Sequence, residues 1–149
     1  MNDSILSLKK ALIMPMLISV FSNNATAHDL NGSLGQASSA VDFYQIHCFD
    51  DGSGANGYLE IELRDEAPSA APLMSMQISV GERVYNTTDA KDADAAYSPS
   101  LQVTGNADEY YLITIDKTAA GKENYAVSYH CMTAQNFHTG TEIFPIADQ

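Results

Sequence analysis

Residues 58–64, Tyr-Leu-Glu-Ile-Glu-Leu-Arg, alternate apolar and polar without a slip: Leu59, Ile61 and Leu63 share one face, Glu60, Glu62 and Arg64 the other. That period of two belongs to a β-strand with one buried face. It returns in 73–80, where Met74, Met76, Ile78 and Val80 oppose Ser75, Gln77 and Ser79. Shorter β-rich runs occupy 41–49, 82–86, 100–105, 110–116 and 124–132, and the tail holds a last edge strand around Pro145. Gly, Asp, Asn and Pro punctuate the gaps at 50–57, 65–72, 87–99, 106–109 and 117–123. Seven or eight short strands at roughly ten-residue spacing, with no helical period after residue 27, predict a single antiparallel β-sandwich, all-β in class. A closed barrel is the second arrangement the pattern admits.

The first 27 residues follow a different rule. Lys9 and Lys10 precede an apolar run over 11–21, and Ala25-x-Ala27 closes it with small residues. This is the layout of a cleaved signal peptide, and the run is too short for a membrane span of about 20 residues. Cleavage after Ala27 leaves His28 as the first residue of an exported chain, periplasmic or extracellular, with no cysteine positioned for a lipid anchor. Residues 28–40 are rich in Gly and Ser and read as a flexible or edge-lying lead-in to a domain over 41–149.

Charge narrows the partners. The chain carries 19 acids and 7 bases. Removing 1–27 takes away Asp3, Lys9 and Lys10, which leaves 18 acids, 5 bases and a net charge of −13. Such a surface repels nucleic acid and anionic lipid and attracts cations. The partners left are a protein or glycan surface, or a protein that receives a metal.

The two cysteines, Cys48 and Cys131, predict one disulfide in an oxidising compartment. Closing a loop of this length stabilises by about 4 kcal/mol in the chain-entropy model. Strand parity puts Tyr44, Ile46 and Cys48 on one face with His47 opposite. It likewise sets Tyr125, Val127, Tyr129 and Cys131 against His130. Both histidines therefore point away from the core. A disulfide between facing sheets would send His47 and His130 to opposite sides of the molecule; one within a sheet would bring them together.

An exposed N-terminal histidine offers its α-amine and its imidazole to one metal ion. The amine has a pKa of about 8, and nitrogen ligands suit Cu(II). Copper is thus the candidate cofactor, with His28 as anchor, His138 as the best further ligand and His47 and His130 next. Met74 and Met76 fall on a core face. Calcium is the lesser candidate: Asp89, Asp92 and Asp94 crowd one loop but lack the register of an EF-hand.

Two likenesses bear on class. Tyr129-His130-Cys131 matches the Tyr-x-Cys of immunoglobulin-like domains, but the chain has no tryptophan and the likeness ends there. Over about residues 73–131, the runs MQISVGERVYN and DEYYLITIDKTAAGKENYAVSYHC resemble the bacterial pre-peptidase C-terminal domains. That resemblance implies a small secreted β-sandwich serving as a non-catalytic accessory module, and transfers no site residues. No Gly-x-Ser-x-Gly or comparable catalytic motif occurs. The expected function is binding without chemistry: copper binding or delivery through His28, or an accessory module without a metal. A small hydrolase or a brace-type copper oxidase ranks third.

Overall fold

The computed structural model describes residues 28–66, 72–91 and 94–149. The expected signal peptide lies outside them, as does Asp92 of the acidic loop. Nine strands and no helix make up the described residues. They are β1 (His28–Leu34), β2 (Asp42–Phe49), β3 (Asn56–Glu66), β4 (Met74–Val80), β5 (Arg83–Thr88), β6 (Leu101–Thr104), β7 (Glu109–Lys117), β8 (Glu123–Thr133) and β9 (Gly140–Ala147). Two antiparallel sheets result, ordered β1-β8-β3-β6 and β5-β4-β7-β2-β9. No helix among the described residues is long and apolar enough to cross a membrane.

The alternating positions do what period two requires. Leu59, Ile61 and Leu63 of β3 and Tyr125 and Val127 of β8 are buried, and so, on the facing sheet, are Ile46, Met76, Ile78, Ile113 and Ile115. Met74 and Met76 are core, both 0% exposed. The same parity carries polar groups inward at strand ends. Asp42 accepts hydrogen bonds from the Tyr125 hydroxyl and from the Gln149 backbone amide (2.7 Å), and Tyr44 meets Tyr125 hydroxyl to hydroxyl at 2.7 Å. At the other end, Asn56 donates to the Tyr111 hydroxyl at 3.1 Å. The buried hydroxyls of Tyr44, Tyr111 and Tyr125 thus each have a partner, as a polar group removed from water requires.

The structure departs from the expected strand count at one place. Residues expected to form a flexible or edge lead-in contain a full edge strand, β1, paired with β8 from His28↔Tyr129 to Leu34↔Glu123. Its composition disguises it because one glycine is sterically demanded. A Cβ at Gly32 would lie 2.3 Å from the Tyr125 hydroxyl, which is itself held by Asp42 and Tyr44. Gly32→Ala must displace either Tyr125 or the strand, so urea unfolding should show a loss of about 2 kcal/mol. An unchanged midpoint would mean that β1 contributes little to the fold.

Candidate metal centre

The disulfide joins Cys48 of β2 to Cys131 of β8, with 5.4 Å between Cα atoms. It therefore bridges the two sheets, and the open question over His47 is resolved by that placement. His47 projects from the outer face of the five-stranded sheet, where Nε2 meets Asp108 Oδ1 at 2.7 Å and Nδ1 lies 3.8 Å from Glu142. Its ring stacks on Tyr110 at 4.1 Å and on Phe49 at 4.9 Å. His47 is thus on the opposite side of the sandwich from His130 and cannot join it at a metal.

The other three histidines converge on one corner of the four-stranded sheet. His130 stands on the outer face of β8, with Glu60 of β3 directly across. After β8 the chain reverses through Thr133–Asn136, a turn closed by Asn136 N–H to Thr133 C=O at 3.0 Å. The Thr133 hydroxyl accepts from the amides of Gln135 and Phe137, and Asn136 takes a left-handed φ of 64°. The returning segment re-pairs with β8: Phe137 C=O receives Thr133 N–H, Thr139 N–H donates to Cys131 C=O, and His138 lies opposite Met132. The turn thereby brings His138 beside His130, with ring centroids 4.7 Å apart and planes at 73°.

His28 opens β1 on that same edge of β8. Because β1 runs antiparallel to β8 with His28 opposite Tyr129, its backbone nitrogen is directed toward the level of His130. Beyond that level the edge is already taken by 137–139. Parity places the His28 ring on the Tyr129 side of the sheet, 5.7 Å from that ring, whereas His130 and His138 stand on the outer side. Accordingly, among the described residues no three His, Cys, Asp or Glu side chains are grouped to hold a metal ion.

Two observations mark the corner as polar and incomplete. The Nδ1 atoms of His28 and His130 are both buried without a hydrogen-bond partner, a costly arrangement for a ring nitrogen. Burial also pushes the His130 pKa below its ordinary value. Neighbouring His138 and His28 push it the same way, against the opposing pull of Glu60 and Asp29. The neutral ring, the form that coordinates metals, is favoured by these shifts. Carboxylates crowd the same face: burial raises the Glu62 pKa, and the charges of Glu60 and Asp29 add to it. Positive charge placed here would relieve that repulsion.

The acidic loop is arranged differently. Asp89 is buried and spends its oxygens on the amides of Asp65 (2.8 Å) and Lys91 (3.1 Å). Asp94 caps the Ala96 amide at 2.7 Å. The bonds to Lys91 and Ala96 are local turn-forming hydrogen bonds and the one to Asp65 ties the loop to β3; together they leave fewer lone pairs free for a cation.

Sequence reasoning passed over Met132. Parity with His130 would have found it: position 132 shares the outer face of β8, and the turn sets His138 against it.

No protein-family model matches this chain, and no curated protein and no solved structure matches it.

Proposed function

We propose that the mature protein, starting at His28 and exported from the cytoplasm, binds Cu(II) without catalysing a reaction. Its ligands in this reading are the His28 α-amine and imidazole with His138 or His130. The observation that carries the reading is the pair of buried, unpartnered Nδ1 atoms on His28 and His130, with the His138 ring alongside. The amine supplies what the side chains lack. It arises only if the chain is cut after Ala27, and the β1–β8 register directs it toward the level of His130. Amine and imidazole nitrogens match the preference of Cu(II) for tetragonal nitrogen ligation, and the flanking Asp29, Glu60 and Glu62 favour a cation electrostatically.

The test begins with the intact mass of the secreted protein, expected to begin at His28, followed by Cu(II) titration. One extra alanine ahead of His28 moves the amine away from the imidazole while leaving every side chain in place. It should weaken Cu(II) binding by at least about 100-fold, or about 2.7 kcal/mol. Equal affinity in the extended and native forms would refute the reading.

A second reading rests on the opposite face. Tyr110 and Phe144 are half-exposed beside the ion-paired His47, Asp108 and Glu142. Aromatic rings flanked by carboxylates suit a glycan or protein surface, as an accessory module would use. Loss of such binding in Tyr110→Ala, with copper irrelevant, would favour it.

A further inference from the structure

We propose that the same corner also holds Cu(I), through the thioether of Met132 together with His138 and His130. This inference rests on the copper reading above, and adds a ligand and a second valence of the cargo.

Three observations place the sulfur at the site. Met132 and His138 are directly opposed across an antiparallel bridge, so their side chains share a face with Cβ atoms about 5 Å apart. His130 lies two residues before Met132 on β8 and points to the same outer side, and its ring already touches that of His138 at 4.7 Å. Met132 is also unlike the methionines of the core: Met74 and Met76 are fully buried, while Met132 is partly exposed on the outer face.

The chemistry divides by ligand softness. An amine and imidazoles favour Cu(II), whereas a thioether favours Cu(I). Cuprous ion accepts two or three soft or imidazole ligands and has no need of the α-amine. The two valences therefore draw on overlapping but different ligand sets: His28 with a ring for Cu(II), and Met132 with His138 and His130 for Cu(I). Cys131, the other sulfur on this stretch, is committed to the disulfide and faces the core, so Met132 is the thioether or thiol ligand available among the described residues of the corner.

Met132→Leu removes the sulfur and keeps the volume. We expect Cu(I) affinity, read by competition with a chromogenic cuprous chelator under anaerobic conditions, to fall at least tenfold. Cu(II) affinity should be unchanged within twofold. Met132→His should restore Cu(I) binding in part, because imidazole also accepts Cu(I). Unchanged Cu(I) affinity in Met132→Leu overturns the inference and leaves the Cu(II) reading standing. Cuprous binding that depends on Met132 in a protein that does not take Cu(II) removes the Cu(II) reading and keeps the inference. A mature protein that binds neither ion removes both.

Discussion

Above pH 10 the protein should lose stability steeply, at up to about 4 kcal/mol per pH unit. Tyr44, Tyr111 and Tyr125 are buried. Burial raises the pKa of each, and in Tyr125 the hydrogen bonds to Asp42 and Tyr44 raise it further, far beyond the ordinary range. In the unfolded chain each would ionise near pH 10. The sign follows from the protons. Above pH 10 the folded state keeps protons that the unfolded state gives up, so rising pH favours unfolding. The contribution is present in full below pH 10 and is lost above it. A domain stable by about 5–15 kcal/mol should therefore unfold within a few pH units of that point. Urea titrations at about pH 8 and pH 11 would measure the slope, with tyrosinate absorbance followed alongside. The three buried hydroxyls should ionise only as the β-sheet signal disappears. Replacing Tyr44, Tyr111 and Tyr125 by Phe should flatten the dependence, whatever the cost at neutral pH. Equal stability at the two pH values would show that these phenols are not sealed.

Removing the disulfide should cost about as much again. Cys48 and Cys131 are 83 residues apart in sequence, and releasing so long a loop frees about 4 kcal/mol of unfolded-chain entropy. The bridge joins one strand from each sheet, so no backbone ladder duplicates it. The Cys48→Ala/Cys131→Ala double variant removes it without leaving a free thiol. Chemical unfolding should place its midpoint well below that of the parent, with a somewhat steeper slope because the unbridged unfolded chain is less compact. A loss under about 1 kcal/mol would mean that residual structure already confines the unfolded chain without the bridge. Reduction of the parent protein should reproduce the loss.

The legible parts of this fold are those where one face is apolar and the other is not. Leu59–Ile61–Leu63 and the Met74-to-Val80 row fall where alternation places them, and so does the disulfide. What escaped has physical reasons. β1 was hidden because Gly32 must pass over Tyr125, which makes a strand resemble a linker in composition. Parity assigns Cys48 and Cys131 to an inner face but cannot say whether one sheet or two supplies them, so the separation of His47 from His130 awaited the topology. The approach of His138 to His130 depends on the Thr133–Asn136 turn, whose geometry has no periodic signal. Met132 needed that same turn to acquire a neighbour.

The corner has a further consequence, for self-association. An unpaired sheet edge is a template on which another chain can add a strand. In the four-stranded sheet, one edge is β1, continued along β8 by residues 137–139. The other is β6, only four residues long. In the five-stranded sheet, β9 carries Pro145, which has no amide hydrogen to offer a newcomer, and β5 presents the charged Arg83 beside Glu82. Among the described residues three of the four borders are short, interrupted or charged, and β1 is the one that is not. Strand addition by another chain should therefore be confined to β1.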